Sequence, residues 1–400
     1  MKVTAVRCIE VTGTIHDPEI YWDDQLVRPT DLYPELLEGT AEMRPPADRR
    51  QPFPVRSIFV RIDAEDGSYG TAGPITPAQA WLIRRRLRPL LEGADALATE
   101  RLWEVMYRSC VAHGRKGLEM LAISVVDCAL WDLKGKHFGV PVWRLLGGPL
   151  RDRIPVYAST LGSSHEPGMV KELAERLKSE GFCGMKWFPR FGPKDGREGM
   201  RRNVELVHQL REAVGDAMLL MIDAWMSWDV RYTIEFARRV ADYDLHWIEE
   251  PVLPDRLDSY AELSARIGTQ VRIAGGEHEY TRWGMQQLAG QGGVQVLQPD
   301  GHWAGGLSEL VKIAAIASAQ EVELVPHGGP VAANAHLTFA QPEPLVPMAE
   351  YLFRQKIVYE WFLADPVGPI DGFIDPPSRP GLGIELDESK IESRRELRDD

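Results

Sequence analysis

The chain has 400 residues, 44% of them hydrophobic and 26% charged, and a formal net charge of -13 at pH 7. That length suits two medium domains or one large barrel with a smaller partner, and the apolar fraction is enough for a sizeable core. The negative charge argues against nucleic acid or an anionic membrane as partner, since both would repel it. A small anionic substrate stays compatible, because charges beyond a Debye length of roughly 8 Å are screened.

The first residues, MKVTAVRCIEVTG, alternate like a strand and lack the apolar run of a signal peptide. No stretch reaches the roughly 20 apolar residues of a membrane span. Cys8, Cys110, Cys128 and Cys183 stand among apolar neighbours without CxxC pairing, as reduced core thiols do, so a cytoplasmic protein is expected. Residues 14–54 are polar and Pro-rich, too long for an ordinary connection, and read as a lid or binding loop. A second strand follows at SIFVRIDAEDG, with its DG turn signal. Helical spacing then covers QAWLIRRRLRPLLEG, TERLWEVMYRSC and EMLAISVVDCALWDLKGKHFG, the last stopped by Gly139 before Pro141.

Beyond residue 150 short apolar runs alternate with amphipathic stretches. The runs are IPVYAST, GMKWF, AMLLMIDAW, LHWIEEP, VRIAGGEH, VQVLQPD and VELVPH. Such alternation predicts an α/β protein whose parallel strands are buried on both faces, in a (β/α)8-type barrel. Three parts are expected: a capping domain over 1–125, a barrel over 126–355, and a segment over 356–400 that packs back on the cap and frays at its charged end.

Each run closes on an ionisable residue: Lys186, Asp223, Glu249, Glu277, Asp300 and His327, from the second run onward. From Asp223 the steps are 26, 28, 23 and 27 residues, about one βα unit each. In a parallel barrel such positions converge on the face that carries active sites. Three neighbouring carboxylates, Asp223, Glu249 and Glu277, repel one another unless a cation joins them, and a hard divalent ion such as Mg2+ suits oxygen ligands. Asp300 beside His327 would fix the tautomer and raise the basicity of the ring. His278, next to Glu277, is a further candidate, and His302 a weaker one.

The segments SVVDCALWDLKGKHFGVPVWRLLGG, LLMIDAWMSWD, HWIEEP, AGGEHEYTRWG, LQPDGHWAGGLSEL and VPHGG resemble the mandelate racemase subgroup of the enolase superfamily, and most closely its rhamnonate dehydratase family. The resemblance runs from about residue 55 to 385. It implies a modified (β/α)7β-type TIM barrel with an α+β N-terminal capping domain completed by the C-terminal tail. It also implies one Mg2+ per subunit held by Asp223, Glu249 (rather than Glu250) and Glu277, with His327, supported by Asp300, as general acid–base. Where many members carry Lys-x-Lys, this chain has Lys186-Trp187-Phe188. Lys186 remains to bind the substrate carboxylate, while Phe188 takes the place of a second base. A one-sided reaction is therefore expected: dehydration of a sugar acid to a 2-keto-3-deoxy acid. An epimerase or racemase, or a sugar-acid binder without turnover, are the alternatives. Arg50 resembles a substrate-binding arginine of that family, with Arg49 as its rival, and Trp22, Asp23, Arg28 and His278 join it as residues facing the substrate. A homo-oligomer is expected.

Overall fold

A computed structural model describes residues 1–16, 23–36, 52–329 and 331–398. Strands β1 (Val3–Ile15), β2 (Phe53–Ala64) and β3 (Tyr69–Ile75) form an antiparallel sheet. Side-chain alternation sends Val6 and Cys8 inward and Arg7 outward. Against this sheet lie α1 (Pro77–Leu82), α2 (Arg88–Leu91) and α4 (Leu118–Phe138), with α3 (Thr99–Cys110) packed on α4. Helix α4 ends where expected, on Gly139 at φ 68°, a left-handed position that glycine takes without strain.

Helix α4 is apolar nearly all round because it is buried nearly all round. It runs across the expected boundary at 125/126. Its buried Asp132 accepts the backbone N–H of Thr71 on β3 at 2.8 Å and that of Leu382 in the tail at 2.7 Å. One turn earlier, Asp127 accepts Ser308 N–H at 2.8 Å and Ser308 Oγ–H at 2.6 Å.

After α5 (Val142–Leu145) the barrel follows: β4 (Ile154–Ser159), α6 (Pro167–Ser179), β5 (Gly184–Trp187), α7 (Gly196–Val214), β6 (Leu219–Asp223), α8 (Val230–Arg239), β7 (Leu245–Glu249) and α9 (Leu257–Ile267). It continues through β8 (Arg272–Gly275), α10 (Thr281–Gly290), β9 (Val296–Leu297), α11 (Leu307–Ala319), β10 (Glu323–Leu324), α12 (Val331–Phe339) and β11 (Ala349–Leu352). The eight strands pair in parallel in the order β10-β9-β8-β7-β6-β5-β4-β11. Leu324 N–H donates to Leu345 O at 2.8 Å, bringing the two ends of the ladder together. Eight strands with seven intervening helices make the (β/α)7β arrangement.

Inside the ring Tyr157, Met221, Trp247, Ala274, Val296, Val325 and Met348 form a separate apolar cluster, a packed plug beneath the strand ends. After α13 (Gln355–Tyr359), β12 (Phe373–Ile374) pairs antiparallel with β4, and β13 (Ser393–Glu396) with β1. The charged end expected to fray is therefore an edge strand in part: Arg395 Nε reaches Glu10 Oε1 at 2.6 Å and Arg394 reaches Glu388 at 2.7 Å. Among the described residues no helix is long and apolar enough to cross a membrane.

Candidate active site

All eight strands of the ring end at one mouth, and the ionisable residues gather there. Lys186 sits on β5, while Asp223 and Glu249 are the last residues of β6 and β7 and face each other in register. Lys186 Nζ lies 2.5 Å from Glu249 Oε1, 3.2 Å from Asp223 Oδ2 and 2.8 Å from Glu350 Oε1, with its side chain 1% exposed. Glu350 is on β11, the eighth strand, which the sequence reading did not single out. It also accepts Gly328 N–H at 2.9 Å. Its signal lies in the sequence: VPMAEYLF places one acid in an apolar run, 23 residues after His327.

Glu277, Asp300 and His327 do not end their strands as expected; they lie two to three residues beyond β8, β9 and β10. Gly276, at φ 123°, turns the chain before Glu277. Pro299 and Pro326 precede the other two, and proline has no N–H with which to continue a ladder. The side chains still converge. One ligand oxygen each from Asp223, Glu249 and Glu277 lies within 4.8 Å of the others. Burial first, and then the neighbouring Asp223 carboxylate, push Glu249 up to about 8. Burial likewise carries Asp223 to about 6 despite Lys186. Three buried oxygen donors whose charge is disfavoured by burial and by one another fit a hard divalent cation.

Two imidazole–carboxylate pairs flank Glu277. His327 Nδ1 is 2.8 Å from Asp300 Oδ2 and its Nε2 is 3.3 Å from Glu277 Oε1. His278 Nδ1 is 2.6 Å from Glu250 Oε2, and its Nε2 is 4.0 Å from the same Glu277 oxygen. Burial disfavours a charged ring at both, yet acids outweigh it. Glu277, with the hydrogen bond to Asp300, takes His327 to about 10; Glu250, ahead of Glu277, takes His278 to about 9. Glu250 is thereby turned to His278, although Glu250, Glu277 and His278 form a second close group. Half-buried Trp303 stands between the imidazoles, its ring centroid 5.6 Å from each. Trp225 meets His278 edge-on at 5.8 Å. Trp225, Met226 and Glu250 have φ of 43°, 64° and 37°, a left-handed strain placed within three residues of Asp223 and Glu249. His302 donates its backbone N–H to Asp300 Oδ1 at 2.6 Å.

Phe188 is buried with its ring 5.5 Å from Lys186 Nζ, so an apolar ring shares the space beside that lysine. Residues 23–27 lie on the rim of the mouth, with Asp23 N–H on Gly162 O at 2.7 Å and Val27 N–H on Pro189 O at 2.8 Å. Arg28 is buried there. Its guanidinium meets Asp31 at 2.9 Å and donates to Leu36 O at 3.0 Å, contacts that brace the strap itself. Trp22, Arg49 and Arg50 lie outside the described residues.

Residues 168–390 match the family model described as enolase C-terminal domain-like, and residues 51–147 match that of the mandelate racemase / muconate lactonizing enzyme N-terminal domain. The chain is 36% identical to the L-rhamnonate dehydratase of Saccharopolyspora erythraea, over 99% of each chain. The solved rhamnonate dehydratase of Gibberella zeae complexed with Mg is similar with a TM-score of 0.83 at 32% identity, over 97% of this chain and 95% of that one. A racemase from Streptomyces coelicolor A3(2) with bound magnesium gives 0.76 at 31%, over 97% and 98%. A dehydratase and a racemase thus share the scaffold, so the scaffold does not select the reaction. The chain belongs to the mandelate racemase and muconate lactonizing enzyme family of the enolase superfamily.

Proposed function

We propose that the protein dehydrates a sugar acid, an aldonate of the rhamnonate type, to a 2-keto-3-deoxy acid. The observation that carries the reading is the asymmetry of the mouth. A buried imidazole, His327, stands over the acidic cluster, whereas the second-base position beside Lys186 is occupied by Phe188. Asp223, Glu249 and Glu277 would hold one Mg2+ per subunit. When bound, that ion supplies positive charge against the negative charge that builds on the substrate carboxylate as C2 loses its proton.

The residues do the rest. Lys186, fixed among Asp223, Glu249 and Glu350, presents a cation to the carboxylate. Asp300 holds the proton on His327 Nδ1, and a cation on Glu277 would offset the charge that keeps Nε2 protonated, leaving Nε2 to take the C2 proton. Nε2 then returns that proton to the departing C3 hydroxyl, water leaves, and the enol tautomerises to the 2-keto acid. The plug closes the floor of the site, and the strap on the rim limits the entry of bulk water.

Purified protein with Mg2+ should release a semicarbazide-reactive 2-keto-3-deoxy acid from at least one member of an aldonate and aldarate library, and EDTA should stop it. Silence across the library would remove the reading. Epimerisation is the second reading, and the His278–Glu250 pair is what favours it, as another imidazole beside the same acid. Solvent deuterium at C2 of recovered substrate without keto acid would select it.

A further inference from the structure

The strap of residues 23–36 rests on the loops that follow β4, β5 and β6. The N–H groups of Asp23 and Asp24 both donate to Gly162 O, at 2.7 and 3.4 Å, and Val27 N–H donates to Pro189 O. From the barrel side Ser227 Oγ–H donates to Val27 O at 3.1 Å. Two arginines grip the strap. Arg190 meets Asp24 at 2.7 Å with its side chain 45% exposed. Arg354, two residues past β11, donates from Nη2 to Asp23 Oδ2 at 2.8 Å and from Nη1 to Gly162 O at 3.1 Å. There both side chains are withdrawn from water, at 13% and 9% exposed.

We propose that Arg354 is a positioning residue that fastens the strap to the rim of the mouth and so governs substrate retention. The proposal of retention rests on the reading of the mouth as a sugar-acid site; the fastening itself does not. One planar guanidinium spans the Asp23 carboxylate and the carbonyl that already receives two strap amides, so a single group fixes both sides of the seam. A lysine ammonium on a flexible stem lacks that fork. Sheltered from solvent, the Arg354 pair is screened less than the exposed Arg190 pair, which contributes little.

The test is hydrogen exchange at the Asp23 and Val27 amides of the whole, substrate-free protein, followed by steady-state kinetics. In Arg354→Gln both amides should exchange about tenfold faster, the scale of a lost charge-assisted hydrogen bond. KM should rise by about the same factor while kcat stays within about twofold, since binding and not chemistry is lost. Arg354→Lys should recover part of the exchange protection. Arg190→Gln should change exchange less than about twofold. Asp23→Asn should match Arg354→Gln at Val27, and the double variant should add little, because the two side chains form one link. Unchanged exchange in a folded Arg354→Gln or Asp23→Asn overturns the proposal, as does faster exchange with an unaltered KM. If no sugar acid turns over, the functional reading fails, and exchange alone decides whether Arg354 is the fastener.

Discussion

The two imidazole pairs at the mouth have the same construction and different positions. In each, the histidine takes its acid from the segment just past an earlier strand: Asp300 for His327, Glu250 for His278. Both present Nε2 to one oxygen of Glu277, at 3.3 and 4.0 Å. They differ in setting. His327 also lies beside Glu350, the acid that pairs with Lys186. His278 is more open, with a side-chain exposure of 19% against 10%, and sits between Trp225 and Trp303. The difference teaches that a carboxylate behind an imidazole makes a base, while its place around the acidic cluster decides what it can act on.

The sharpest break of that comparison is His327→Asn. It should lower kcat by about 10^4, the upper range for a lost general acid–base group, with Mg2+ affinity kept in a calorimetric titration. Near-normal turnover would end the one-sided mechanism. His278→Asn should cost about a hundredfold and raise KM as well; a loss as large as that of His327→Asn would make the two pairs equal partners.

A third histidine supplies the contrast without an acid. His336 is fully buried and its Nδ1 accepts Trp143 N–H at 3.0 Å, so burial holds it down at about 4. Its folded pKa lies below its unfolded one, so the folded state binds fewer protons between pH 6.5 and 4. Stability is therefore complete above 6.5 and falls as the pH drops, by about 3 kcal/mol for a shift of this size. Urea titrations at pH 7 and 4.5 should show that loss, and a His336→Gln variant should flatten the dependence. Trp303→Phe, which keeps a ring between the imidazoles, is the smallest expected effect: about threefold in kcat/KM, the scale of one aromatic contact.

Much of this was open to sequence reasoning because a barrel repeats. Apolar runs at βα intervals located seven of the eight parallel strands, and the residues closing them converge as expected. The eighth strand escaped because Glu350 sits inside its run rather than at the end, and the alternation that turns it to Lys186 is a property of pairing with β4. The pairing of Glu250 with His278 escaped for another reason. It needs Glu250 at φ 37°, a strained backbone that no spacing announces. Seams between distant segments, such as Arg354 with Asp23, are set by the closure of the whole chain.

Helix α4 has a mechanical consequence. Asp132 ties it to β3 and to the tail, and Asp127 ties it to the start of α11. A wedge pinned on three sides leaves no hinge about which the cap can swing as a rigid body against the barrel. Among the described residues, access to the mouth then falls to the strap, and the traffic of substrate and product becomes a local event at the rim.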